Sequence, residues 1–483
     1  MVTQGVKGST GTINNALVDS PAAYFWGEIR VLFGKRIRRR SDPGGPGQAR
    51  AWLGASAAVA ALGFHIVAAR AQVEETPILD QYLPPATAGG GTDFQPGITA
   101  ATRTHPLYEA PGVQFGTINL RPELTQSVGF DSNPIGLASP KGSPMIETQG
   151  QVAASMDLPL TSFRLSANVD NVIYTSLPNQ NYTNWGITAG AEHQFGLNDL
   201  WANYSHQQVT VLPNGLNTAG IQQPVGLALD SGQIAYRMQF GAGSITPGLQ
   251  VDRFNFQNVP IAGTNLSQTI NNRVVVTPSV ALGYEFATRR TAVLVIRDSD
   301  ASYTVSAPGL ANRNYNDLAV LGGVDYDTDA VIRFRTLVGY ERRTFSSDQF
   351  KTIQAPIFEA TAIWTPTGLT TVTATLARRI EAALENSTTG YTENYGQLRV
   401  DHELLPNVLL YAAGGYYLDQ YQDFGNQRLA SVGVGGNWLL NRNMQLGASY
   451  TFVARTTGST ASVNALGPSY VDHRFVVNLQ LRL

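Results

Sequence analysis

Between residues 113 and 483 the chain alternates apolar and polar side chains in about eighteen stretches, joined by connectors that run short, long, short, long. A period of two marks strands with two unlike faces. In 330–345, Ile332, Phe334, Val338 and Tyr340 share one face, and Arg333, Arg335 and Glu341 the other. In 392–404, Leu398, Val400 and Leu404 oppose Gln397, Arg399, Asp401 and Glu403. The stretch 272–286 sets Val274, Val276, Val280, Leu282, Tyr284 and Phe286 against Arg273, Thr277, Ser279 and Glu285; 163–175 sets Phe163, Leu165, Ala167, Val169 and Ile173 against Arg164, Ser166, Asn168 and Asp170. A slip of one residue exchanges the faces, so the pattern specifies register as well as strand.

Short connectors fall at 159–161, 196–199, 241–244, 287–290, 327–329, 365–368, 405–407 and 441–443. The others are mostly longer: 132–144, 176–183, 213–228, 257–271, 304–314, 346–351, 383–391, 422–426 and 456–469. Bacterial transmembrane barrels have an even strand number, tight periplasmic turns and longer outer loops. The prediction is an all-β fold: a single transmembrane antiparallel up-and-down β-barrel over 113–483, of about 18 strands with 16 as the alternative, and with N- and C-termini periplasmic. The first strand is expected over 115–131 and the last over 470–483. Many stretches exceed the roughly 9–11 residues needed to cross, so strands should project beyond the membrane. A β-propeller would show a repeat of about 40–45 residues, and none is visible.

Composition agrees. Charged residues are 14% of the 483, and mean hydropathy is -0.10, as expected when lipid-facing and water-facing residues average out. With no cysteine, disulfides and thiolate metal sites are excluded. The net charge of -2 conceals a basic start: residues 1–71 hold nine of the 33 Lys and Arg and three of the 35 Asp and Glu. The remainder is acidic, which argues against nucleic acid as a partner.

That start reads as a leader. The cluster Lys35-Arg36-Ile37-Arg38-Arg39-Arg40 precedes an apolar run over 51–69 and the small-residue pattern Ala69-Arg70-Ala71. Cleavage is expected after Ala71, leaving Gln72 as the mature N-terminus. Residues 72–112, rich in Pro, Ala, Gly and Thr, are expected to be a periplasmic linker or a short plug.

The polar faces supply the candidate lumen-lining residues: Arg164, Asp170, Glu192, Arg237, Arg253, Arg273, Glu285, Arg297, Asp325, Arg333, Arg335, Glu341, Glu359, Arg399, Asp401 and Glu403. They either set up a field across a constriction or brace the wall as ion pairs. Their near balance of sign predicts weak ion selectivity. Loops 213–228 and 257–271 are candidates for a constriction. Trp201, Phe240, Phe286, Tyr326, Phe345, Trp364 and Trp438 lie near strand ends and are expected to form interfacial girdles. No catalytic residue is expected. Ser205-His206 and Asp401-His402 are adjacent and so point to opposite faces of a strand, and no G-x-S-x-G, H-E-x-x-H or calcium-loop pattern occurs. No metal and no cofactor is implied.

The motif Gly129-Phe130-Asp131-Ser132-Asn133-Pro134, after Leu120-Arg121-Pro122, resembles the opening of the putative β-barrel porin type 2 family, with Phe130, Asp131 and Asn133 as motif residues. The resemblance continues at Gly339-Tyr340-Glu341-Arg342-Arg343-Thr344-Phe345, Trp364-Thr365-Pro366-Thr367-Gly368-Leu369-Thr370 and Val400-Asp401-His402-Glu403-Leu404. It implies an outer-membrane barrel without catalytic residues, and some relatives are linked to polysaccharide export. One departure is the last residue, Leu483, where such barrels commonly carry an aromatic; here the aromatic of that strand is Phe475.

The function expected is an outer-membrane channel for passive diffusion of hydrophilic solutes. The alternatives are a dedicated exopolysaccharide export channel, for which Tyr416, Tyr417 and Tyr421 are candidate platforms, and a structural barrel with a filled lumen. Expected partners are outer-membrane lipid and lipopolysaccharide, the barrel assembly machinery, and small hydrophilic solutes or polysaccharide.

Overall fold

The structure, a computed structural model, describes residues 99–100, 103, 105–218, 221–259, 267–326, 331–384, 388–422, 425–458 and 466–483. The expected leader over 1–71, the cleavage after Ala71 and most of 72–112 lie outside the described residues.

Nineteen strands make one antiparallel sheet. They are β1 (Val113–Phe115), β2 (Ile118–Asp131), β3 (Ser143–Asp157), β4 (Thr161–Tyr174), β5 (Tyr182–Phe195), β6 (Asn198–Val211), β7 (Val225–Phe240), β8 (Gly243–Phe256), β9 (Arg273–Ala287) and β10 (Arg290–Tyr303). The chain continues through β11 (Tyr315–Tyr326), β12 (Ile332–Phe345), β13 (Ile353–Thr367), β14 (Thr370–Ala382), β15 (Gly390–Leu405), β16 (Val408–Tyr421), β17 (Gly425–Leu439), β18 (Met444–Thr457) and β19 (Tyr470–Arg482). From β2 onward each strand pairs with the next, and β19 returns to β2, closing a barrel of 18 strands. Closure gives every strand from β2 to β19 two neighbours, which spanning lipid demands.

The stretch read as one first strand is two. Gly116, at φ 60°, lets the chain turn between β1 and β2. β1 pairs with residues 118–120 of β2, and β19 takes over the same edge from Glu123. Pro122, which has no N–H to offer, falls between those two partners.

Short connections gather at one end of the barrel, the turn end, and long ones at the other, the loop end. Outward positions carry large apolar side chains such as Val128, Val338 and Val432, each more than half exposed. Inward positions of the same strands are mostly polar or charged. Moving an inward arginine to the lipid face near the midplane would cost about 2–4 kcal/mol. Phe240, Phe286, Trp364 and Trp438 stand exposed on the outer wall, and Tyr326 stacks on Phe334 there at 4.9 Å.

Three readings of face need correction. Trp201 shares parity with Asn203 and Ser205 and faces inward, with Arg237 5.6 Å from its ring. Phe345 shares parity with Glu341 and Arg343 and packs inside on Tyr315. Arg253 shares parity with exposed Leu249 and Val251, so it lies on the outer wall, opposite Asp230. In each case position along the strand suggested one face, but the two-residue period decides.

Candidate functional site

The site is the barrel interior, and its wall is laced with ion pairs. The structure places Arg164, Asp170, Glu192, Arg237, Arg273, Glu285, Arg297, Asp325, Arg333, Arg335, Glu341, Glu359, Arg399, Asp401 and Glu403 on inward positions. Several are paired: Arg335 with Asp325 (3.0 Å), Arg297 with Glu341 (3.3 Å), Arg399 with Asp401 (2.7 Å) and Arg164 with Asp157 (2.5 Å). Arg273 lies 4.0 Å from the Phe254 ring centre, and Glu285 accepts from the Arg289 N–H at the turn end. Asp170 is opposite Asn184, Glu192 opposite Trp201, and Glu359 opposite Leu337. Arg333 is buried.

Parity alone, applied further, would have added Asp317 and Arg343. They form a further pair at 2.7 Å with both side chains buried, and Arg343 is stacked 4.2 Å over the Tyr315 ring. Such buried pairs contribute little net stability while intact, but removing one partner strands a charge and costs about 3–5 kcal/mol.

Two segments enter this interior. From the loop end, the β6–β7 connection crosses to the far wall. Its Leu216 packs on Tyr417, Leu429, Val453 and Tyr470. The next residue, Asn217, adopts φ 53°, a conformation asparagine tolerates better than most residues. Its N–H donates to Gln427 Oε1 (3.0 Å), its Nδ2 to the Ala382 carbonyl (3.3 Å), and its Oδ1 accepts the Leu384 N–H (3.0 Å). Arg455 donates to the Gly215 carbonyl at 2.5 Å, and the Tyr470 hydroxyl to that of Asn214. The connection named first as a constriction candidate therefore spans the lumen. The second, 257–271, is described only in part; its Ile270 and Asn271 are buried, and Asn271 Oδ1 accepts from Arg313 at 2.7 Å.

From the turn end, residues 99–100, 103 and 105–109 line the mouth. The Ala100 N–H donates to Thr371 Oγ1 (2.8 Å). Arg103 pairs with Glu403 (2.8 Å) and also donates to the Gly368 carbonyl. Tyr108 packs on the cluster of Leu409, Tyr411, Ala413 and Leu439, and its carbonyl accepts from Arg482. Burial pushes the Glu109 carboxyl above the usual carboxylate range, against the N–H that His105 donates to it.

The motif residues act at the closing seam. Asp131 accepts the Asn133 N–H (2.9 Å) and the Tyr174 hydroxyl (3.2 Å). Asn133 donates to the carbonyls of Leu137 and Val471, and Ser132 donates to Asp472. They tie the end of β2 to the start of β19, while Phe130 is exposed on the outer wall. The motif thus has an architectural use.

Of two further interior features, the tyrosines are named from the sequence without their facing, and the apolar arc is not anticipated there. Tyr417 and Tyr421 face inward and Tyr416 outward; Tyr395 stacks on Tyr417 at 4.7 Å, and Tyr391 lies 4.8 Å from Tyr421. The inner face of β10–β13 is apolar at mid-height, where Val293, Val295, Leu321, Leu337 and Ile357 cluster. Apolar residues at consecutive positions hide the alternation that revealed the other strands. Ser205 points inward and is buried, whereas His206 points outward and meets Asp230 at 2.7 Å. Among the described residues no group of three or more His, Cys, Asp or Glu is placed to hold a metal.

Comparison with solved structures finds outer-membrane barrels. The outer-membrane protein OpdK of Pseudomonas aeruginosa matches at 10% identity over 76% of this chain and 99% of its own, with a TM-score of 0.41. OccK2 (OpdF) of the same organism, in complex with glucuronate, matches at 11% over 75% and 98%, with a TM-score of 0.43. OccAB2 of Acinetobacter baumannii matches at 10% over 76% and 98%, with a TM-score of 0.42. No curated protein sequence matches. The model of the family described as putative beta-barrel porin 2 matches residues 105–483. The chain belongs to the putative β-barrel porin 2 family.

Proposed function

We propose that this protein is a channel of the bacterial outer membrane for passive diffusion of small hydrophilic solutes, its turn end and both termini in the periplasm and its loop end at the cell exterior. The observation that carries the reading is the pairing of an ion-paired, hydrogen-bonding inner wall with an apolar outer wall around one closed ring of strands. Water and small polar solutes fit such an interior, and acyl chains fit its exterior. The β6–β7 connection, fixed across the lumen by Leu216 and Asn217, sets the limiting aperture. Lipopolysaccharide and phospholipid cover the outer wall, and the barrel assembly machinery inserts the chain.

Reconstitution into planar bilayers tests this. Discrete conductance steps with weak ion selectivity are expected, and proteoliposomes should swell in small sugars. A protein that stays silent both intact and after removal of 214–218 is not a diffusion channel.

A second reading, export of a polysaccharide, would use the inward tyrosine pairs on β15 and β16, against which Leu216 and Leu466 pack in this structure. Sugar rings stack on such platforms. Block of the conductance by long oligosaccharides, with little effect of short ones, would favour export.

A further inference from the structure

The outer wall carries a mixed-charge cluster near the loop end. His206, Asp230, Tyr340 and Tyr416 face outward, and each stands five residues from the loop end of its strand, at Val211, Val225, Phe345 and Tyr421. Trp185 is beside the cluster, its ring 5.1 Å from that of His206. Tyrosine and tryptophan at a common height mark a membrane interface. Asp230 Oδ1 accepts the Tyr204 hydroxyl (2.8 Å) and meets His206 Nδ1 (2.7 Å). Its Oδ2 accepts no hydrogen bond among the described residues, and the side chain is 30% exposed. Arg253, directly across from Asp230 on β8, is exposed and makes no ion pair or hydrogen bond among the described residues; its neighbour on β9 is Val274.

Towards the turn end the same wall is hollowed. A groove of about 560 Å³ is floored by Ala189, Ala191 and Ala202, with Phe163 and Leu165 on one side and Tyr204 on the other. Leu165 and Tyr204 are two strands apart, with Ala189 between them. Two strand spacings are about 10 Å, and the bulk of the two side chains narrows that to the width of one acyl chain. Gly232 joins the groove to the cluster. It lies between Tyr204 and Val251, and a Cβ there would meet nothing within 4 Å. Tyr204 belongs to both features, since its ring borders the groove and its hydroxyl reaches Asp230.

Ionisable side chains on a lipid-facing wall are costly and mark sites. A guanidinium takes a phosphate bidentately, and a free carboxylate oxygen accepts from an ammonium. Directly opposed residues have Cβ atoms about 4.5–5.5 Å apart, a spacing that suits a phosphate and an amine joined by two methylenes. Lipid A, with two phosphates and several acyl chains, would call for a second guanidinium and a broader face. Among the described residues, Arg253 is the only Arg or Lys on an outward position of β4–β9.

We propose that this face holds a single phospholipid with a primary-ammonium headgroup, phosphatidylethanolamine, its phosphate on Arg253, its ammonium on Asp230 Oδ2 and one acyl chain led past Gly232 into the alanine groove. The proposal rests on the reading that the outer wall faces lipid, and adds a stoichiometric site to it. Tyr204 and His206 hold Oδ1, which leaves Oδ2 for the headgroup. Phosphatidylglycerol fits less well, because its hydroxyl head brings the carboxylate no cation. With the loop end at the cell exterior, the site retains a phospholipid in the leaflet that lipopolysaccharide otherwise fills.

The test uses the full chain, delipidated in detergent and offered phosphatidylethanolamine, phosphatidylglycerol or lipid A at equal concentration, with bound lipid counted by native mass spectrometry. One phosphatidylethanolamine per barrel is expected, retained at least fivefold better than either competitor. Equal retention of the two phospholipids, or a preference for lipid A, overturns the proposal. Each variant is first verified as folded by heat-modifiable gel mobility. Arg253→Gln should lower phosphatidylethanolamine retention at least fivefold. Asp230→Asn should remove the preference over phosphatidylglycerol rather than all binding. Ala191→Leu, which fills the groove and leaves the charges in place, should lower retention at least threefold. Retention that ignores Arg253→Gln or Ala191→Leu overturns the site. So does a lipid-free dimer that Ala191→Leu dissociates, which would make the face a contact between two copies. Failure of the membrane reading is a separate result: a chain that stays dissolved when detergent is removed, before any lipid is offered.

Discussion

Among the described residues, two of the segments that enter the barrel, one from each end, are held by different physics. The β6–β7 connection is tethered at both ends and is fixed by an apolar contact and by hydrogen bonds to backbone carbonyls and amides of the opposite wall. The segment that leads into β1, described at 99–100, 103 and 105–109, is held by the ion pair of Arg103 with Glu403 and by bonds between its backbone and the side chains of Thr371 and Arg482. Backbone partners are always present and do not titrate, so the first segment is a permanent part of the aperture. A side-chain ion pair can be cancelled by salt or by a competing charge, so the second is releasable. One mouth is built and the other is latched.

The comparison can be broken in order of effect. Removing 214–218 should enlarge the aperture outright, with a several-fold rise in single-channel conductance and uptake of sugars that the intact protein excludes; unchanged conductance would mean that the connection does not limit flow. Asn217→Ala takes away the side-chain bonds to the Ala382 carbonyl, the Leu384 N–H and the Tyr421 hydroxyl, at about 1 kcal/mol each, and puts at positive φ a residue that tolerates it less well than asparagine, at about 1 kcal/mol more. Long-lived open states should appear in single-channel records, while the folded barrel keeps its heat-modifiable mobility. Glu403→Gln weakens a charge-assisted bond worth about 1.5–3 kcal/mol. It should expose the N-terminal segment to protease in proteoliposomes without altering conductance through the other mouth.

The smallest effect concerns Glu109. Because burial raises its carboxyl above the unfolded value, its contribution to holding the segment is complete below about pH 4.5 and fades as pH rises through the folded value. Protease protection should therefore be greater in acid, and Glu109→Gln should remove that part of the pH dependence.

Much of this could be read from the residues in order. Alternation located the strands, and parity alone placed Arg335, Glu341 and Asp401 inside. The same rule, followed strictly, puts Trp201 and Phe345 inside and Arg253 outside, where a preference for aromatics at strand ends and charges in lumens misleads. What could not be read is which long connection bends inward, because its partners are far away in sequence: Asn217 meets Gln427, and Gly215 meets Arg455. The early end of the β13–β14 ladder was hidden for another reason. Residues 353–357 have the pattern of a fully paired strand, and only the departure of β14 leaves them without a partner on that side. The apolar arc of β10–β13 was obscured because valine and leucine on both faces erase the contrast that marks a wall.

That the ring closes between β2 and β19 has a consequence for biogenesis. The first full strand to leave the ribosome is the last to acquire its second neighbour, after some 350 intervening residues have been laid down. Until then its free edge is a template for any stray strand, and the three-residue β1 shields only its lowest part. Any lesion at Asp131 or Asn133, which tie the two strands together, should therefore be felt first as slow insertion.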